Sequence, residues 1–159
     1  MFFSQRACGG ALVLCAVLVG TVYATKVSYA EATQEWMSAP VRTAAEHMLA
    51  AMPDDYYSIK GVAAEKAIAT GAPHVLDVRE PSEFAAEHIP GAKNIPLRSL
   101  MRAIDDLPAD NTASLTVYCK TGHRGAIALA VLRMLGYSNV VSLYGGLDGW
   151  KAAGFAVTR

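Results

Sequence analysis

A chain of 159 residues with 14 Lys and Arg against 14 Asp and Glu has no formal net charge. That balance, without a long block of either sign, excludes the electrostatic footprint of a nucleic-acid-binding protein, and the length favours one domain. The hydrophobic fraction is 53%, and part of it is gathered at the N-terminus.

Residues 1–30 have the order of a targeting segment. Arg6 and the amino terminus supply a short positive region, and Ala11-Leu12-Val13-Leu14-Cys15-Ala16-Val17-Leu18-Val19 is an apolar one. Two small-residue cleavage patterns follow, Val22-Tyr23-Ala24 and Ser28-Tyr29-Ala30. The apolar run is short of the about 20 residues a membrane span needs. The expectation is a signal peptide over 1–24, cut after Ala24 or Ala30, and a periplasmic or otherwise exported protein. The alternative is a protein anchored to the membrane by an uncleaved segment, with membrane contact only in that case. A lipoprotein is disfavoured because Leu14, not a small residue, precedes Cys15. Removal of Cys8 and Cys15 with this segment leaves Cys119 as the sole thiol, so no internal disulfide can form. A single thiol in an oxidising compartment is a liability unless it is buried or used.

Residues 31–55 read as an accessory segment. Residues 31–39 have no strong pattern beyond Trp36 and Met37. From Pro40 to Pro53, Val41, Ala44, Ala45, Met48, Leu49 and Met52 fall at helical spacing, with Arg42, Glu46 and His47 on the other face. This predicts an amphipathic helix over 40–52, packed on the domain or offered to a protein partner.

Residues 56–159 then alternate strand and helix signals. Short strands are predicted at 56–59, 74–79, 114–118 and 140–143, with a brief extended piece at Asn94-Ile95. Helices are predicted at 62–70, ended by Gly71, and at 81–87, 97–107 and 125–135, the last followed by Gly136. The 125–135 segment is apolar nearly all round apart from Arg133, so deep burial is expected. Gly145-Gly146 turns the chain into a final short helix that carries Trp150. Such alternation implies a single α/β domain with a central parallel sheet and helices on both faces, and ligands in such sheets bind beyond the carboxyl ends of the strands.

Cys119 stands at one of those ends. It leads a short cationic loop, Lys120-Thr121-Gly122-His123-Arg124, which runs into the helix beginning near Gly125. A thiol so placed meets backbone N–H groups at the positive end of a helix dipole, which together with nearby cations favours thiolate chemistry. Gly122 permits the tight curvature, since glycine takes positive φ at little cost.

Three separated stretches resemble the motifs of the rhodanese family, in the family's order. They are Asp77-Val78-Arg79-Glu80-Pro81 with Glu83-Phe84, His88-Ile89-Pro90-Gly91-Ala92 and Asn94-Ile95-Pro96; then Tyr118 to Arg124; then Gly145-Gly146-Leu147-Asp148-Gly149-Trp150. The resemblance covers residues 56–159 and implies a rhodanese-like domain there. It implies an exported single-domain sulfurtransferase that moves a sulfane sulfur from thiosulfate or a persulfide, through a Cys119 persulfide, to cyanide or a thiol. Cys119 is then the nucleophile, and Lys120, Thr121, Gly122, His123, Arg124 and Gly125 bind the small anionic donor, attracted by two or three cations. Asp77 and Arg79 are expected to be structural, ion-paired near the site. No metal or cofactor is implied. Four residues separate Cys119 from Arg124; the C-x5-R loops of tyrosine phosphatases and arsenate reductases cradle a tetrahedral oxyanion, and the shorter loop suits one sulfur atom better. Gly125 departs from the serine or threonine that family loops commonly carry after the arginine. The competing reading is a non-catalytic sulfur-binding or redox-sensing module docked to a partner.

Overall fold

Strand β4, Leu115–Tyr118, is buried along its whole length, as expected of an apolar, β-branched run covered on both faces. In the computed structural model, which describes residues 39–71 and 73–159, β4 is the middle of a five-stranded sheet of order β1-β5-β4-β2-β3. The others are β1 Ser58–Ile59, β2 His74–Asp77, β3 Lys93–Asn94 and β5 Val140–Leu143. Every pairing among them is parallel, with Leu76 beside Val117 and Val117 beside Ser142. The helices are α1 Ala39–Ala50, α2 Gly61–Ala69, α3 Pro81–Ala86, α4 His123–Met134 and α5 Gly146–Ala152. The expected signal segment, both cleavage patterns, Trp36 and Met37 lie outside the described residues.

Alternation along the strands sorts the core into two layers. Leu76, Val78, Leu115, Val117 and Cys119 face α4, where Ala128, Leu129 and Leu132 meet them. Val75 and Tyr118 face the opposite way, against Ala64 of α2 and Leu147 and Trp150 of α5. The Asp77 and Arg79 side chains, 0% and 4% exposed, belong to this second layer, with the guanidinium 5.7 Å from the Tyr118 ring centre. Arg79 Nη2 donates to Asp77 Oδ2 at 2.6 Å and to the Glu87 carbonyl at 2.6 Å, and Nε donates to both Asp77 oxygens. The Ile89 N–H donates to the Tyr118 hydroxyl oxygen at 3.1 Å. Burial, with Asp77 close by, pushes the Tyr118 hydroxyl well above its ordinary range, so it stays protonated.

Three predicted elements come out differently. The strand at 56–59 shrinks to Ser58–Ile59 because Tyr56 and Tyr57 take φ of 53° and 56°, outside any strand geometry. The helix predicted at 97–107 is two 3-10 turns, Leu97–Ser99 and Ile104–Asp106. The 3-4-3 spacing of Leu97, Leu100, Ile104 and Leu107 suits two separate i-to-i+3 turns as well as it suits a helix, and Asp105 and Asp106 disfavour a helix interior. Finally, α4 starts at His123, and only one of its faces is buried, at Gly125, Ala128, Leu129 and Leu132. Ile127 is 55% exposed despite its apolar surroundings in sequence. The predicted accessory helix is α1, which lies along α4 and keeps Val41 and Leu49 exposed.

The Asp77–Arg79 pair is buried, so solvent does not reach either partner. Asp77→Ala should therefore lower stability by roughly 3–5 kcal/mol, the usual cost of stranding a buried charge. A urea midpoint equal to that of the unmodified chain would show that the pair does not matter to folding.

Candidate active site

Cys119 continues the alternation of β4 by one residue. This places its side chain in the α4-facing layer, with the residue 1% exposed. The chain then curls: Gly122, at φ 107°, is the residue that caps α4, and its N–H donates to Cys119 Sγ at 3.2 Å. His123, Arg124 and Gly125 form the first turn of α4, where backbone N–H groups lack intrahelical acceptors and carry the positive end of the helix dipole.

The opposite side of the loop is held by α5. Leu147 N–H donates to the Cys119 carbonyl at 2.8 Å and Asp148 N–H to the Lys120 carbonyl at 3.0 Å. This docking is possible only because residue 146 is glycine. A Cβ there would collide with the Cys119 carbonyl and lie 2.6 Å from the Lys120 carbonyl oxygen, at a φ of 58° that already penalises any side chain. Gly125 has a related reason. A Cβ on it would stand 3.0 Å from Ser142 Oγ and 3.6 Å from the Tyr118 Cα, so the hydroxyl of β5 occupies the space that a side chain at 125 would need.

The cations are not all free. Arg124 makes a two-pronged pair with Glu83 of α3, Nη1 to Oε2 at 2.7 Å and Nη2 to Oε1 at 2.9 Å. The Glu80 N–H donates to the same Oε2 at 3.1 Å. The Arg124 hydrogen bond pulls the Glu83 carboxyl down to about 2, with help from the Glu80 amide and against the effect of burial. The guanidinium is in turn held in its charged form by Glu83 first and, in smaller part, by the Cys119 sulfur. Lys120, Thr121 and His123 are exposed, and the Thr121 hydroxyl lies 3.0 Å from His123 Nδ1. Among the described residues Lys120 has no ion-pair partner. Of the cationic side chains expected here, Arg124 is thus already engaged by a carboxylate, while Lys120 stands in solvent.

The structure curls residues 119–125 into one loop and helix start, in which the Gly122 N–H contacts the Cys119 sulfur. It sets Asp77 and Arg79 on the other face of the sheet, as an ion pair and not as part of the cradle. Glu83 is the residue whose role sequence reasoning did not identify; it lies 41 positions before Arg124, and only its place in the opening motif singled it out.

Two outcomes test this geometry. Gly146→Ala should displace the Cys119–Lys120 carbonyls and cost more than about 2 kcal/mol, seen as a lowered unfolding midpoint. The Glu83–Arg124 pair contributes fully above the ordinary carboxyl value of 4.5 and loses its contribution as pH falls from there through about 2. Acid titration of stability should be shallower in Glu83→Gln over that window; identical acid limbs would remove the pair from the balance.

The family model for the rhodanese-like domain matches residues 62–153. Over 79 residues the chain is 46% identical to the probable adenylyltransferase/sulfurtransferase MoeZ of Mycobacterium tuberculosis, an alignment that covers 48% of this chain and 19% of that protein. Over 76 residues it is 37% identical to the thiosulfate sulfurtransferase PspE of Escherichia coli, covering 48% of this chain and 72% of the relative. The chain spans less than half the length of several curated relatives, including 46% of an uncharacterised Synechocystis protein. A crystal structure of a rhodanese-related protein from Thermoplasma volcanium has a TM-score of 0.58 at 35% identity, covering 64% of this chain and 96% of that one. Model, relatives and fold agree: the chain belongs to the rhodanese-like domain family.

Proposed function

We propose that this protein is a sulfurtransferase that carries a sulfane sulfur on Cys119, taking it from thiosulfate or a persulfide and passing it to a thiol or cyanide. The observation that carries the reading is the hydrogen bond from Gly122 N–H to Cys119 Sγ at 3.2 Å, inside a loop whose carbonyls at 119 and 120 are engaged on the far side by α5. Amides aimed at sulfur stabilise an anionic thiolate or persulfide without a proton donor, as an oxyanion nest does for oxygen.

In the first half-reaction the Cys119 thiolate attacks the outer sulfur of thiosulfate. A new S–S bond forms, the old one breaks, and sulfite leaves with the bonding pair. In the second, the acceptor attacks the outer sulfur of the persulfide and Cys119 leaves as thiolate. The cycle needs no oxidant, which suits a chain whose described residues contain one cysteine. For the same reason a redox sensor working through an internal disulfide finds no resolving thiol among those residues. An exported setting is part of the proposal, supported by the Arg6-led apolar segment and its two cleavage patterns.

Thiosulfate treatment of the intact protein should add the mass of one sulfur atom at Cys119, and cyanide should remove it as thiocyanate. Cys119→Ser should do neither. Absence of the mass gain in the unmodified chain, under conditions where a known rhodanese gains it, rejects the enzyme reading.

A further inference from the structure

Glu83 serves two elements at once. As the third residue of α3 it closes the turn that begins that helix, with Oε2 accepting the Glu80 N–H at 3.1 Å. The same carboxylate accepts both prongs of Arg124, at 2.7 and 2.9 Å. Three hydrogen bonds thus fix its negative charge in place, and a charge so held cannot swing aside when a ligand arrives. The Arg124 hydrogen bond draws the carboxyl down to about 2, so the charge is present at every pH at which a thiolate forms.

A pairing that only braced the loop would have no bearing on substrate. This one does, for two reasons. The Arg124 guanidinium also interacts with the Cys119 sulfur, which in smaller part holds it charged, so the Glu83 carboxylate stands across a single guanidinium from the reacting atom. The neighbouring side chains, moreover, do not offset it. Lys120 is exposed, but Asp148, whose N–H holds the Lys120 carbonyl, brings an exposed carboxylate to the start of α5. Glu80 adds another at the start of α3, and His123 adds positive charge only when protonated. Attraction for a donor therefore falls to the backbone amides, while each further negative charge on the donor meets a fixed carboxylate.

We infer that Glu83 is a specificity-determining residue, whose fixed carboxylate selects against doubly charged sulfur donors and in favour of donors with a single negative charge. The inference rests on the sulfurtransferase reading and names the donor class of the same site. A thiosulfonate, R–SO2–S⁻, represents that class: it differs from thiosulfate by exchange of one charged oxygen for carbon. The Cys119 thiolate attacks its outer sulfur and forms a new S–S bond. The old S–S bond breaks and a sulfinate leaves with the bonding pair, with no proton or oxidant required.

The test measures kcat/KM of the full chain for thiosulfate and for methanethiosulfonate, with cyanide as the common acceptor. In Glu83→Gln at low ionic strength the value should rise about tenfold for thiosulfate and about threefold for methanethiosulfonate, because Coulomb energy is proportional to donor charge. Glu83→Asp, which keeps the charge, should keep the unmodified ratio of the two. Further loss of Arg124, in Glu83→Gln with Arg124→Gln, should return the ratio to the unmodified value or below. The unmodified chain supplies a second measurement. Salt screens a repulsive carboxylate, so raising it to about 0.5 M should increase kcat/KM for thiosulfate about threefold and for methanethiosulfonate less than twofold. A ratio unchanged in Glu83→Gln, or a thiosulfate value that falls with salt, overturns the inference and leaves the sulfurtransferase reading standing. An unmodified chain that takes sulfur from neither donor overturns both.

Discussion

The two hydrogen bonds from the start of α5 to the carbonyls of Cys119 and Lys120 set the polarity of the whole loop. A trans peptide unit holds its C=O and N–H on opposite sides. Drawing the 119 and 120 carbonyls toward α5 therefore turns the N–H groups of Lys120 and Thr121 away from that helix. Those amides, the Gly122 N–H on the sulfur and the open first turn of α4 belong to one donor-rich concavity. Strand β4 leads into the thiol, but the closing Gly145-Gly146 turn makes its surroundings positive. This also explains why a motif so far along the chain matters to the cysteine: its Leu147 N–H holds the Cys119 carbonyl, and the absent Cβ of Gly146 is the space in which that carbonyl sits.

The charge of the site is consequently more a property of backbone than of side chains. Both arginines of the two principal motifs arrive with their own carboxylates, Arg79 with Asp77 and Arg124 with Glu83. The two pairs differ in placement. The first is shut away in the α2–α5 layer; the second is about one-third exposed at the edge of the loop. A guanidinium held by a two-pronged pair is fixed in position and orientation, so it sits at the loop as a directed edge and not as a mobile charge. Lys120 supplies the freely solvated positive charge.

Much of this was legible in the chain because it depends on short-range pattern. The buried runs at β2, β4 and β5 declare themselves by apolar and β-branched content, and period-two alternation puts Asp77 and Arg79 on one face before any coordinates are known. Gly71, Gly122, Gly136 and Gly145 mark the turns they occupy, all at positive φ. What was not legible depends on partners distant in sequence. Nothing local says that Glu83 meets Arg124, or that the apolar segment after Gly125 leaves Ile127 toward solvent while Leu129 and Leu132 go inward. Tyr56 and Tyr57 misled for a physical reason: aromatic residues favour strands, and that preference outweighed the turn signal of Asp55, whose carboxylate accepts from the Tyr57 N–H, while the contacts of Tyr57 with Ala51 and Arg133 have no local pattern. The segment at 97–107 misled because its spacing fits more than one helical geometry.

Strand β4 shows one side chain to each layer in turn, so its two sides answer to different demands. Val117 and Cys119 look toward the helix that shapes the chemistry; Tyr118 looks toward the ion pair and Ile89 amide that brace the fold. The strand separates reactivity from endurance within consecutive residues. A lineage carrying this domain can therefore adjust thermal tolerance through the Tyr118 side, and the surroundings of the thiol through the Cys119 side, with little interference between the two. The pleat of a single strand becomes the boundary along which the domain can diversify.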